Sequence, residues 1–146
     1  VNAEQYVEEF QKSQRGDIVY LAGPIDYSVE NPDDRHDALA VLLDTRNVDI
    51  WCPFCVQTVL RSAPAQAVSR NIAAMQDAGY FIAVWNGPLE QPSFGTPVEI
   101  FASASGNADR TVVVGTMGSG LLADALRARG VREVLSLEAA VSLLRL

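Results

Sequence analysis

The residues best placed to do chemistry lie in the stretch Pro92-Ser93-Phe94-Gly95-Thr96-Pro97-Val98-Glu99-Ile100, just past the apolar run Tyr80-Phe81-Ile82-Ala83-Val84-Trp85. The apolar run predicts a strand, and the turn after it predicts a helix opening at the strand's carboxyl end. Gly95 allows a tight turn and Thr96 can act as N-cap. Pro97 suits the first helical position, where no amide hydrogen is needed. Glu99 is thereby expected on the first turn of that helix, at the end of the sheet where open α/β folds bind ligands. A carboxylate held there can attack an electrophilic carbon or support a cation. Acids are also common in first turns simply because the helix dipole favours them.

A second group competes for attention. Trp51-Cys52-Pro53-Phe54-Cys55 puts a Cys-x-x-Cys after another strand-like run, and glutaredoxin-like proteins carry a very similar tetrad. A helix behind it would lower the first thiol's pKa. Yet Pro53 and Pro64 leave only a weak helical stretch, Val56 to Ser62, and Thr96-Pro97 reads as a helix start rather than a cis-proline before a strand. The favoured reading makes Trp51, Cys52 and Phe54 apolar filling at a strand end. A thiol-disulfide module using Cys52 and Cys55 is the alternative from another class.

The elements that must position these groups alternate along the chain. Asn2 to Gln14 suits a short amphipathic helix around Tyr6, Val7 and Phe10, closed by Gly16. Strands are predicted over Ile18 to Ala22, Val48 to Trp51, Tyr80 to Trp85, Thr111 to Val114 and Glu133 to Leu137. Helices are predicted over Asp33 to Thr45, Ala65 to Ala78 (Val68, Ile72 and Met75 on one face), Thr96 to Ser105, Leu121 to Arg129 and Glu138 to Leu144. Apolar strands separated by helices indicate a parallel sheet covered on both faces. The expected fold is a single doubly wound, flavodoxin/Rossmann-like α/β domain over residues 1–146, with a five-stranded parallel sheet in the order 2-1-3-4-5. In that order the segments Gly23 to Asp26 and Asn86 to Glu99 meet at the switch point.

With 146 residues, 49% hydrophobic and 20% charged, the chain can bury a core without staples. A net charge of −7 argues against a nucleic-acid-wrapping surface. It is compatible with a single nucleotide, whose phosphate can be held by backbone amides and a helix N-terminus. No apolar run reaches the ~20 residues of a membrane span, and no signal-like layout opens the chain. A cytoplasmic protein with reduced cysteines and no membrane partner is expected.

Two segments resemble the nucleoside 2-deoxyribosyltransferase-like family: Val19-Tyr20-Leu21-Ala22-Gly23-Pro24-Ile25, and Gly95-Thr96-Pro97-Val98-Glu99-Ile100. Between them Asn71-Ile72-Ala73-Ala74-Met75, followed by Ala78, is similar to the family helix that brings a polar residue to the sugar. The resemblance implies cleavage of the N-glycosidic bond of a nucleoside or nucleotide, without metal or organic cofactor, by attack of Glu99 on C1′. Such chemistry is sensible, because an oxocarbenium-like transition state gains from an adjacent carboxylate and a covalent glycosyl-enzyme splits one hard step in two.

Ser93 stands where the nucleoside transferases place an aspartate, six residues before the nucleophile. Gln91-Pro92-Ser93-Phe94-Gly95 is more similar to the branch that hydrolyses nucleoside 5′-monophosphates, in which the matching serine hydrogen-bonds the phosphate. An aspartate would repel a dianion, whereas a hydroxyl can donate to it. The implied catalytic residues are Glu99, Tyr20 and Asn71. Tyr20 matches a tyrosine that orients the nucleophile, although it equally reads as a core aromatic. The implied substrate-binding residues are Gly23, Pro24, Ile25, Asp26, Ser93, Gly95, Thr96 and Ser119. Asp26 is the nearest candidate for a general acid.

Trp85, Phe54 and Ile25 could wall the base, but core filling is the preferred reading. His36 is expected at the surface, as are Arg35 and Arg70 in preference to a phosphate-binding role. The resemblance also implies a homodimer or higher homo-oligomer. Ser119, in Gly115-Thr116-Met117-Gly118-Ser119, would reach the neighbour's pocket, and helices near Ala65 and after Thr96 would form the interface. A base-exchanging deoxyribosyltransferase and a non-catalytic nucleotide-binding domain remain alternatives on the same scaffold.

Overall fold

A computed structural model describes residues 18–23, 32–44, 46, 48–53, 64–90 and 95–146. The strands are β1 (Ile18–Ala22), β2 (Asp49–Trp51), β3 (Tyr80–Asn86), β4 (Thr111–Thr116) and β5 (Arg132–Val134). The helices among the described residues are α1 (Pro32–Leu42), α2 (Pro64–Asp77), α3 (Gly95–Asn107), α4 (Leu121–Arg129) and α5 (Leu137–Leu143). The strands form one parallel sheet in the order β2-β1-β3-β4-β5, as expected from the alternation. The expected helix at Asn2 to Gln14 and the weak one at Val56 to Ser62 lie outside the described residues. No described helix is long and apolar enough to cross a membrane.

Every residue of β1 is buried, because helices cover both faces of the sheet. Alternate side chains then enter two separate cores. Ile18, Tyr20 and Ala22 join Phe81, Ala83, Trp85 and Val113 beneath α2, α3 and α4. Val19 and Leu21 join Ile82, Val112, Leu39 and Ala140 beneath α1 and α5. The switch point lies between β1 and β3, which pair from Val19↔Tyr80 to Ala22↔Ala83. From there the chain goes to α1 on one face after β1 and to α3 on the other after β3, the place at which doubly wound sheets bind ligands.

Three expectations are corrected. The fifth strand ends at Val134, because Ser136 accepts a hydrogen bond from the Ala139 N–H and caps α5, leaving Leu135 97% exposed. Helix α2 turns only part of its apolar stripe to the core: Met75 packs against it beside the buried Ala74, while Val68 and Ile72 are 57% and 46% exposed. Arg35 and His36 are not surface residues but are each only 7% exposed.

Candidate active site

Helix α3 begins at Gly95, one residue before the expected N-cap, so Thr96 and Pro97 are buried inside its first turn. Glu99 consequently sits just beyond the first turn rather than on it. Gly95 is not in a left-handed conformation, contrary to the tight-turn role expected for it. The residue four positions on is Glu99, and a Cβ at Gly95 would stand 3.7 Å from Glu99 Oε1. The carboxylate thus folds back over the opening of its own helix.

Tyr20 comes up from β1 beneath it. Its hydroxyl donates a short hydrogen bond to Glu99 Oε2, and its ring, fully buried, stacks on Phe81 with centroids 5.3 Å apart and planes 12° from parallel. The ring is core, and the hydroxyl bonds the Glu99 carboxylate. Burial raises the Glu99 pKa above its ordinary 4.5, and the Tyr20 hydrogen bond partly opposes the rise. One carboxylate oxygen is thus held by Tyr20 while the other lies near Gly95 at the start of the helix.

Asn71 lies on α2, where its Oδ1 accepts a 3.4 Å hydrogen bond from Trp51 Nε1 at the end of β2. Trp51 thus fixes a polar side chain on the helix that covers the Tyr20 face of the sheet. Trp85 is core, with its Nε1 donating to the Gly87 carbonyl at 2.9 Å. Cys52 is buried in the same core, and the all-parallel sheet differs from the mixed sheet that a thioredoxin-like module requires. Pro24, Ile25, Asp26, Ser93, Phe54 and Cys55 lie outside the described residues.

The loop after β4 is held rigidly. Gly115 has φ +122°, and a Cβ there would fall 2.0 Å from the Trp85 carbonyl oxygen, so only glycine fits. Beyond it, Glu133 Oε2 accepts from the Met117 N–H (2.8 Å) and Thr116 Oγ1 (3.1 Å). Arg127 Nε donates to Glu133 Oε1 at 2.5 Å, and its Nη2 donates to the Gly118 carbonyl at 2.6 Å. Ser119 projects exposed from this braced loop. It lies on the strand-end edge that Glu99 shares, on the loop of the neighbouring strand.

Sequence reasoning underweighted Arg35. Its guanidinium occupies the space where a Gly23 side chain would be: a Cβ on Gly23 would meet Arg35 Cζ at 2.7 Å and Nη1 at 2.9 Å. The signal was present in the spacing. Arg35, Leu39 and Leu43 recur every fourth residue, and Leu39 and Leu43 are core, so Arg35 shares the buried face of α1.

A cavity of ≈ 370 Å³ opens elsewhere, between α2 and α3 at the amino end of β3, lined by Ile72, Met75, Tyr80, Phe81, Ser103 and Arg110. It opens toward the amino end of the sheet, and Phe81 in its wall separates it from Tyr20, on whose ring it stacks. Among the described residues no group of three or more His, Cys, Asp or Glu side chains could hold a metal ion. No protein-family model matches the sequence, and no curated protein matches it either. What the geometry establishes is a doubly wound domain with a part-buried, tyrosine-bonded glutamate at the switch-point end of the sheet.

Proposed function

We propose that the protein hydrolyses the N-glycosidic bond of a nucleoside 5′-monophosphate, with Glu99 as nucleophile. The observation that carries the reading is the Tyr20–Glu99 pair at the switch point, a partly desolvated carboxylate whose one donor among the described residues is the Tyr20 hydroxyl. In the first step a Glu99 carboxylate oxygen bonds to C1′. The C1′–N bond breaks, its electron pair going to the base, which takes up a proton. In the second step water attacks C1′, releasing the carboxylate and giving free base and sugar 5-phosphate. Tyr20 keeps the attacking group aimed throughout, and Asn71, steadied by Trp51, is placed to meet a sugar hydroxyl. Ser93 is the expected phosphate donor, and the amides of Gly23 and Ile25, but not Pro24, are expected to assist it.

Incubation with a panel of 5′-monophosphates, with and without an acceptor base, tests this directly. Free base and sugar phosphate are expected in both cases. Base exchange that requires the acceptor would make the protein a transferase, and unaltered nucleotide would make it a binding domain.

The working unit is proposed to be a homodimer built on α2 and α3. Val68, Ile72 and Val98 leave apolar side chains exposed on these two helices, and Ala73 and Ala102 keep their surfaces low. A neighbouring copy would then bring Ser119 to the Glu99 end of the sheet. Sedimentation of a fully active monomer at assay concentration would remove Ser119 from the site.

A further inference from the structure

We propose that the cavity between α2 and α3 binds a small monocarboxylate with an apolar body, the body lying against Met75 and Phe81 and the carboxylate meeting Arg110. This site is separate from the Glu99 candidates and does not rest on the glycosidase reading.

The walls set the chemistry of the body. The space measures ≈ 370 Å³, within the about 300–1,000 Å³ typical of small-molecule sites. Ile72 and Met75 of α2, Ala102 of α3, and Tyr80 and Phe81 of β3 give it an apolar surface. A thioether and two aromatic rings suit a flat or flexible hydrocarbon group. Of the surface proposed for the dimer, only Ile72 and Ala102 reach the cavity, since Val68 and Val98 stand nearer the starts of the two helices.

Arg110 sets the charge. Its guanidinium lies over the Tyr80 ring, with Cζ 5.5 Å from the centroid, and Nη1 donates to the Gly79 carbonyl at 3.4 Å. Both partners belong to the cavity wall, so the cation is held at the rim. One long bond from an exposed guanidinium leaves its other N–H groups for a ligand. Arg129 and Arg132 hold the same corner, each exposed and donating to one carbonyl, of Ser105 (3.2 Å) and of Asp109 (3.0 Å). Among the described residues no carboxylate pairs with any of the three. Asp77 and Asp109 are the acids nearest to them in the fold's order, so three cations outnumber two anions in a chain of net charge −7. A single negative charge completes that balance, and a carboxylate matches the planar donor set of a guanidinium.

Gly106 keeps the mouth clear. It lies within α3 without a left-handed φ, and a Cβ there would meet nothing within 4 Å. Neither backbone nor packing requires this glycine, which weakens a helix relative to alanine. Its missing side chain leaves an opening in the wall that it lines.

The test is calorimetric titration of the full chain with 4-phenylbutyrate, with 4-phenylbutanol and butyrate as companions. The acid is expected to bind about tenfold or more tighter than the alcohol, the effect of one charged contact, and butyrate not measurably. Arg110→Gln should lower the acid to the level of the alcohol and leave the alcohol unchanged. Gly106→Phe, which the open space accommodates, should abolish binding of both while circular dichroism shows the fold retained. If Arg110→Gln fails to fold, the Gly106 variant and the acid-to-alcohol ratio carry the comparison. A wild-type protein that does not bind 4-phenylbutyrate, equal losses of acid and alcohol in Arg110→Gln, or unchanged binding in Gly106→Phe would overturn the site. So would a Gly106→Phe protein that dissociates in sedimentation while no probe binds the wild type, which would make the cavity a contact between copies.

Discussion

Two glutamates at the carboxyl edge of one sheet show how the same side chain is put to opposite uses. Glu133, at the β5 end, accepts from Arg127, Met117 and Thr116 and has its pKa lowered to about 2, chiefly by the Arg127 hydrogen bonds. Glu99, at the switch point, has one tyrosine hydroxyl and a raised pKa, because burial outweighs that bond. Full satisfaction makes Glu133 a brace that holds the loop from Gly115 to Gly120. Partial satisfaction leaves Glu99 the carboxylate that, in the proposed reaction, would meet an incoming electrophile. The difference is one of partners and solvent, not of residue type.

The comparison breaks most visibly at Glu99. Glu99→Gln should keep the fold and remove at least ~10³-fold of single-turnover activity, as expected when a covalent nucleophile is lost. Its stability should move the other way. A carboxyl whose folded pKa lies above the unfolded value opposes folding once pH rises through the folded pKa, and does so not at all below the unfolded one. Thermal melts should show the variant more stable than wild type near neutrality and equal to it below about pH 4.5. A Gln variant that turns over like wild type would end the proposed mechanism.

Ser93→Ala comes next in size. It should cost about 10- to 100-fold in kcat/KM for monophosphates, the scale of one charged hydrogen bond, and leave nucleosides unaffected. Equal losses for both would assign Ser93 a structural role and favour the transferase.

Tyr20→Phe sharpens the contrast by removing the one donor while keeping the stacked ring. Activity near neutrality should fall by about tenfold or somewhat more. The acidic limb of the kcat/KM profile, already above 4.5 in the wild type because the nucleophile must be ionised, should move to still higher pH. A limb that stays in place would mean that the hydrogen bond does not govern Glu99.

The smallest catalytic effect belongs to Glu133→Gln. Turnover should change little, whereas stability should drop at neutral pH, because a depressed folded pKa stabilises the fold above the unfolded value of 4.5. That advantage is lost as pH falls through about 2, so melting curves of the two proteins should converge there. Salt should narrow the gap as well, the Arg127 pair being partly solvated.

Much of the scaffold was legible in the residues. The uniformly apolar runs at Ile18–Ala22 and Tyr80–Asn86 mark central parallel strands, and their alternation with helices leads to the observed order. Glu99 was legible as well, through the turn before it. Less visible was the helix beginning at Gly95, since Gly-Thr-Pro scores as a cap and only the backbone shows that Thr96 is already buried within the turn. Arg35 and His36 were hidden by composition. They sit among acids, and local polarity outweighed the four-residue spacing to Leu39 that puts Arg35 in the interior.

Periodicity and turn chemistry along the chain therefore determined the strands, the helices, their order and the end of the sheet at which Glu99 stands, because these depend on neighbours a few residues apart. Only the tertiary structure decided that the Tyr20 hydroxyl meets the Glu99 carboxylate 79 positions away, that Trp51 reaches Asn71, and that Arg35 fills the space left by Gly23. Those contacts follow from the register of β1 against β2 and β3 and from the packing of helices across two faces. The ionisation of Glu99 belongs with them, since desolvation is a property of the folded interior and not of any segment read alone.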